Sequence, residues 1–221
     1  MFDRIAPRYD LLNRVLSFGA DIGWRRRAAR LAALGPDGRA IDVGAGTGDL
    51  ALALLLASDA SARVIGVDLA PRMLALSLRQ LARLRPRYVA AVANAEALPL
   101  PASSVDRVVS AFTLRNVGDL PRVLREARRV LRPGGRVVLL ELSHPPHAGF
   151  NAIYRWYFES VAPRVAAALG GDPAAYRYLP RSLRPFPDAE ALAALMREAG
   201  LISVRFERLT LGIAAVHVGE R

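Results

Sequence analysis

The stretch from Ala40 to Leu50, "AIDVGAGTGDL", decides how this chain folds. A short apolar run carries one acid, Asp42, and enters a turn with glycines at 44, 46 and 48. That turn opens onto "GDLALALLLASD" (48–59), an apolar run of helical length. A buried strand, a glycine turn and a helix in that order form the first unit of many α/β ligand-binding domains.

The pattern repeats outward from this unit. "RVIGVDLA" (63–70) is a second strand ending in Asp68, and Pro71 sits at the start of the helix that follows through 84, where its missing N–H costs little. A third strand lies within 87–99, and a fourth, "DRVVSAFTLRN", spans 106–116. The helix "DLPRVLREARRVLR" (119–132) and the turn "PGG" lead into a fifth strand, "RVVLLELS" (136–143). Upstream, residues 1–34 read as helical segments broken at "FGAD" (18–21), with Leu11, Leu12, Val15 and Leu16 at helical spacing. A last helix, "DAEALAALMREAG" (188–200), has Asp188 near its start and Gly200 at its end, and two strands around Gly212 close the chain. Apolar strands alternating with helices predict an α/β domain with a mostly parallel sheet covered on both faces. We expect one domain over 1–221, with a helical lid segment at 1–38. The aromatic, proline-rich stretch 144–187 is too long for an ordinary connection and is expected to be an inserted lid over the substrate.

The totals set limits. A chain of 221 residues buries roughly 70–75% of its unfolded surface and needs no staples. With no cysteine it has neither disulfides nor thiolate metal sites, which fits a reducing cytosol. No signal peptide is evident, and the longest apolar run (50–57) is too short to span a bilayer. All 31 basic residues are arginine against 20 acids, a formal charge of +11. That excess suits an anionic surface, though arginine-only usage also follows from a GC-rich genome. No basic motif interleaved with aromatics points to nucleic acid. His144 and His147 in "HPPH" lack acids at ligand spacing, so no metal is expected.

The chemistry of the loop narrows its ligand. A Walker loop needs Gly-Lys-Ser/Thr, and the chain has no lysine. The dinucleotide fingerprint is G-x-G-x-x-G, whereas the spacing here is G-x-G-x-G. S-adenosylmethionine has no pyrophosphate; it carries an ammonium, a carboxylate, a sulfonium and two ribose hydroxyls. An acid at Asp42 suits the ammonium, the N–H groups around Thr47 to Asp49 suit the carboxylate, and Asp68 can accept both hydroxyls.

Further motifs carry a family resemblance. With "FDRIAPRYDLLNRVLSFGADIGWRR", "DVGAGTGDL", "GVDLAPRML", "ANAEALPLPASSVDRVVSAFTLRNV", "EARRVLRPGGRVVLLELSHP" and "YRYLPRSLRPFPD", the chain resembles the ubiquinone/menaquinone biosynthesis C-methyltransferases, class I methyltransferases. The resemblance implies a Rossmann-like seven-stranded sheet with an antiparallel last strand, and S-adenosylmethionine as cofactor. It implies that Gly44, Gly46 and Thr47 hold the methionine end, Asp68 the ribose, and Met73, Asn94 and Ala95 the adenine, with Leu69 and Ala111 also against the cofactor. Thr47 as a helix cap and Met73 as plain core are the alternatives. Ala111 stands where the family often has serine, and "FTLRN" replaces "FGLRN", so Thr113 adds a side chain near the site. The implied reaction is C-methylation of a reduced, prenylated quinone precursor. Tyr9, Phe112, Tyr154 and Tyr178 are implied substrate contacts, and Phe18, Trp24, Phe150, Trp156, Tyr157, Phe158 and Tyr176 add apolar rings. Arg115 is expected to stabilise a developing phenolate, with Asn116 orienting it; a salt bridge from Arg115 to Asp119 or another acid is the alternative. Demethylmenaquinol and the benzoquinol precursor of ubiquinone both fit the motifs, and composition leans toward the former. Another small-molecule methyltransferase on the same scaffold is a further alternative; an RNA methyltransferase, a nicotinamide oxidoreductase and a non-catalytic lipid binder fit the motifs less well. Nothing in the sequence sets an oligomeric state.

Overall fold

A computed structural model of the chain describes residues 14–162, 164 and 182–221. Seven strands form one sheet in the order β3-β2-β1-β4-β5-β7-β6. These are β1 (Arg39–Val43), β2 (Arg63–Asp68), β3 (Tyr88–Val92), β4 (Val105–Ala111), β5 (Leu131–Leu142), β6 (Ile202–Leu209) and β7 (Ala214–Glu220). β7 runs antiparallel to both β5 and β6, and the other pairings are parallel. The described helices are α1 (Ala20–Leu31), α2 (Asp49–Ala57), α3 (Pro71–Gln80), α4 (Leu120–Val130), α5 (Ala148–Trp156) and α6 (Ala189–Glu198).

Strand alternation builds two cores. Val109, Val138 and Leu140 point with Val216 and Val218 toward Trp24, Ala28 and Ala29 of α1 and Leu54 of α2. Their neighbours Val108, Val137 and Leu139 point the other way, onto Val123, Leu124 and Ala127 of α4 and Met196 of α6. A period of two on strands buried on both faces therefore yields the near-continuous apolar runs of the sequence. Asp188 caps α6 by accepting from the Ala191 N–H at 2.8 Å, and Asp119 caps α4 through the Arg122 N–H at 2.9 Å.

Three boundaries differ from the sequence reading. β5 begins at Leu131, so "PGG" lies inside the strand range, beside a register shift against β4 between Val105 and Arg107. β4 stops at Ala111, because Phe112 adopts φ +58 and turns the chain out of the sheet; Leu114–Asn116 then forms one 3₁₀ turn. The predicted helix through 84 ends at Gln80, with a 3₁₀ turn at Ala82–Leu84. The N-terminal break falls where expected: Phe18 (φ +52) and Gly19 (φ +77) are both left-handed immediately before α1.

The order of strands reverses between β1 and β4. Their carboxyl ends therefore diverge into a crevice, the place where open α/β sheets bind ligands.

Candidate active site

The glycine turn after β1 is held to β2 from below. The N–H groups of Gly44 and Ala45 both donate to the Val67 carbonyl, at 2.8 and 2.9 Å. Asp68 then holds the turn from the side, accepting from the Gly46 N–H through Oδ2 and from the Ala70 N–H through Oδ1, each at 2.9 Å. The glycines serve different ends. A Cβ on Gly44 would lie 2.1 Å from Oγ1 of Thr113, whose hydroxyl donates to the Gly44 carbonyl at 3.2 Å. Gly46, at φ +53, faces open space: a Cβ there would meet no heavy atom within 4 Å. Both glycines are left-handed, Gly44 at φ +71, a backbone conformation that side chains disfavour; packing against Thr113 adds a second requirement at Gly44 alone.

Around this turn lies a cavity of about 320 Å³. Its walls include Asp42, Gly44, Gly46, Thr47, Asp68, Leu69, Met73, Asn94, Ala95, Ala111, Phe112 and Asn116, so twelve of the sequence-predicted residues meet in one place. Asp42 is 1% exposed, and neither carboxylate oxygen has a hydrogen-bond partner. Burial, and then the nearby Asp68, push its carboxyl up to about 7; the Ala51 amide and the Arg25 guanidinium oppose this more weakly. A buried carboxylate without partners is costly unless something cationic or hydrogen-bonding completes it. Asp42 and the open face at Gly46 therefore fit a ligand that brings an ammonium group to a glycine-lined wall. Met73 is buried and lines the cavity, so wall and core are one role here. Asn94 sits at the rim, its side-chain oxygen accepting from the Glu96 N–H at 2.9 Å.

A second cavity, about 440 Å³ and mostly apolar, adjoins the first. It is lined by Leu16, Phe18, Trp24, Phe150, Tyr154 and Tyr157 among others, and it shares Arg25 and Phe112 with the first cavity. The Phe112 ring is the common partition. Arg25 lies 5.1 Å from its centroid and Arg115 5.8 Å, distances at which a guanidinium is attracted to the ring.

Both arginines are buried and paired. Arg115 Nη1 donates to Oε2 of Glu141 at 2.8 Å, with side-chain exposures of 6% and 2%. Glu141 Oε1 accepts from the Leu114 N–H at 2.6 Å. Burial raises the Glu141 carboxyl, while Arg115 and the Leu114 and Leu142 amides pull it back. Arg25 pairs with Asp21 one helical turn earlier. Tyr154 is 5% exposed, and burial holds its hydroxyl far above the usual phenol range against the pull of Arg115.

Arg115 thus faces the apolar cavity and Asn116 the polar one. The acid that pairs with Arg115 is Glu141, whereas Asp119 caps α4. Tyr9, Tyr176 and Tyr178 lie outside the described residues. Sequence reasoning missed Glu141 and Asp21. Glu141 was hidden in an apolar strand, where a single acid was itself the signal; Asp21 stands four residues before Arg25, the spacing of a helical ion pair. His144 contacts the Phe186 carbonyl at 3.1 Å. Among the described residues no group of three or more potential metal ligands occurs.

The chain is similar to known proteins over its whole length. The model of the ubiE/COQ5 methyltransferase family matches residues 1–221. A demethylmenaquinone methyltransferase of Thermus thermophilus is 51% identical over 223 residues, covering 100% of both chains. One of Deinococcus radiodurans is 44% identical, covering 100% of this chain and 91% of its own. A ubiquinone/menaquinone biosynthesis C-methyltransferase of Geotalea daltonii is 43% identical, covering 100% and 94%. Among solved structures, a SAM-dependent methyltransferase of Thermotoga maritima superposes with a TM-score of 0.71 at 22% identity, covering 99% of this chain and 97% of its own, a likeness of fold.

Proposed function

The chain belongs to the ubiE/COQ5 methyltransferase family and is an S-adenosylmethionine-dependent methyltransferase, and from this premise we propose that it C-methylates demethylmenaquinol to menaquinol. One observation carries the substrate reading: the glycine-lined polar cavity and the aromatic apolar cavity meet at a shared wall, Arg25 and Phe112. A cationic cofactor and a greasy aromatic acceptor can then approach each other across one ring.

When bound, S-adenosylmethionine supplies a methyl group on a sulfonium, an intrinsically strong electrophile. The residues of the chain do the rest. Asp42 holds the ammonium, and Gly44, Gly46 and Thr47 border the methionine end. Asp68 and Leu69 hold the ribose. Met73, Asn94 and Ala95 border the adenine, and Ala111 contributes backbone alone. Phe112 and Tyr154 position the acceptor ring, which supplies orientation and excludes water. Arg115, fixed by Glu141, stabilises negative charge as it develops on the quinol oxygen, and Asn116 orients that oxygen. A guanidinium keeps its proton in proteins, so this role is electrostatic. It also explains why a reduced quinol, which has an oxygen to ionise, reacts where a quinone does not.

The approach of a membrane-soluble acceptor calls for contact with a lipid surface. Phe18 (85% exposed) and Trp156 (62%) border the apolar cavity, and Leu211 (67%) follows the lining residue Thr210. Arg26 and Arg30 are exposed on α1, and Arg14 precedes the Phe18 turn. Apolar tips with arginines beside them suit peripheral binding to anionic lipid, with residues 1–38 and 144–187 acting as the lid segments. No described helix is long and apolar enough to cross a membrane.

The test is methyl transfer from labelled S-adenosylmethionine to short-chain demethylmenaquinone, with and without reductant, beside a demethylated ubiquinone precursor. Label in the naphthoquinol, dependent on reductant, is the expected result. Label only in the benzoquinol, or in neither, overturns the substrate.

A further inference from the structure

Given a quinol in the apolar cavity, as the reading above has it, its hydroxyl proton needs an acceptor, and we propose that Asp21 is that acceptor. Asp21 is only 3% exposed, yet it lines the apolar cavity. Its Oδ1 accepts from the Ser17 hydroxyl at 2.9 Å and its Oδ2 from Arg25. The left-handed pair Phe18–Gly19 starts α1 so that Asp21 falls in its first turn, one turn before Arg25. Arg25 in turn borders the cofactor cavity and covers the partition ring Phe112. The carboxylate is therefore held in an apolar wall, beside the boundary across which the methyl group must pass.

Among the described residues, the other candidates lack the means to take a proton. Arg115 faces the cavity from the turn after β4, and like Arg25 it stays protonated. Tyr154 and Tyr157 face it from α5 and the turn that continues it, and burial keeps both hydroxyls protonated. β5 and the β6–β7 turn contribute Leu142, Thr210 and Ile213, none of which titrates. Glu141 borders neither cavity, so a quinol held in the apolar one does not reach it. Asp42 acts on Arg25 from the cofactor side. Among the described residues lining the apolar cavity, Asp21 is the carboxylate.

The step balances as follows. The quinol O–H bond breaks, the proton moves to Asp21, and the electron pair left on oxygen feeds the neighbouring ring carbon, which forms the new carbon–carbon bond as the sulfonium–methyl bond breaks and its pair stays on sulfur. The ring C–H bond then breaks, its electron pair restores aromaticity, and its proton leaves to solvent. The oxygen recovers the first proton from Asp21. Arg25 and Arg115 stabilise the oxygen's charge in between.

The test compares wild type, Asp21→Asn and Asp21→His with reduced short-chain demethylmenaquinone across pH. Asp21→Asn is expected to lower kcat by roughly 10²–10⁴-fold while cofactor affinity stays within a few-fold. Asp21→His supplies a base but no carboxylate for Arg25; it is expected to recover part of the turnover and to move the acidic limb of the profile toward about 6.5. A purely structural ion pair would give no such shift, and this readout holds even where the asparagine variant folds poorly. Asp21→Asn turnover within about threefold of wild type, or an unmoved limb in an active Asp21→His, overturns the proposal and leaves the function standing. Wild type that binds the cofactor but methylates no quinol overturns the function and this assignment together.

Discussion

At the residue scale, Asp42 links stability to binding. Its carboxyl is raised to about 7 in the folded protein, against an ordinary 3.8. The folded state therefore holds a proton that the unfolded state has lost between those values, so stability falls as pH rises from about 4 to about 7. The cost above 7 is on the order of 4 kcal/mol. Asp42→Asn should leave the ligand-free protein at least as stable at pH 8, with little change near pH 4. The same substitution should weaken S-adenosylmethionine binding roughly 10- to 100-fold, the worth of one charge-assisted bond. Native affinity should itself fall about tenfold per pH unit below about 7, because the cation needs the ionised acid. Thermal melts and titration calorimetry over pH check both. A variant that loses stability at pH 8, or keeps its affinity, would contradict this account.

At the element scale, the turns around the apolar cavity expose what other turns hide. Phe18 and Leu211 both sit on left-handed backbone, at φ +52 and +57, and Thr210 beside Leu211 is left-handed as well. Such conformations cost roughly 1–3 kcal/mol each for residues other than glycine and concentrate at functional sites. Trp24 ties one turn to the other by donating to Thr210 Oγ1 at 2.8 Å, and the Tyr157 hydroxyl donates to the Leu16 carbonyl at 3.1 Å. The rim is thus braced beneath its exposed tips. Phe18→Ser together with Leu211→Ser should weaken binding to phosphatidylglycerol vesicles about tenfold or more without lowering the melting temperature, since roughly 1.5–3 kcal/mol attends each large apolar side chain moved from water to lipid. Salt should weaken what remains through the arginines. Co-sedimentation at low and high salt measures both; binding indifferent to the two substitutions would remove this rim from the contact.

At the scale of the whole molecule, one sheet supports both cavities. The cofactor wall comes from the ends of β1, β2 and β4, and the acceptor wall from α1, α5 and the β6–β7 turn. The carboxyl end of α1, at Ala28 and Ala29, and Ala32 just past it lie deep in the core. Of the proposed N-terminal lid, the part from Trp24 onward is therefore anchored. Because cavity and core share strands, ligand binding should register as global stabilisation. At 100 times its Kd the cofactor adds about 2.7 kcal/mol, expected to raise Tm by roughly 5–10 °C. Differential scanning fluorimetry of the cofactor-free and cofactor-loaded protein tests this, and an unshifted Tm would mean that the glycine turn does not hold it.

Much of this was legible along the chain. The strand–glycine–helix unit at 40–50, Asp68 at the end of the second strand and the alternation of strands and helices are local patterns, set by backbone geometry and by the period of apolar residues. They determined the α/β class and pointed to the cofactor through Asp42, the glycine turn and Asp68, whereas Leu69, Met73, Asn94, Ala95 and Ala111 were implied only by the family resemblance. The pairing of Arg115 with Glu141, 26 residues apart, was not legible, because it depends on β4 and β5 lying side by side. Nor was the facing of Gly44 and Thr113, or the meeting of two cavities at Phe112. Asp21 read as one charge in a helical segment until packing enclosed it in an apolar wall. Local sequence sets which side chains point to which face; only tertiary packing decides which faces meet, and hence which charges are stripped of water and must find partners.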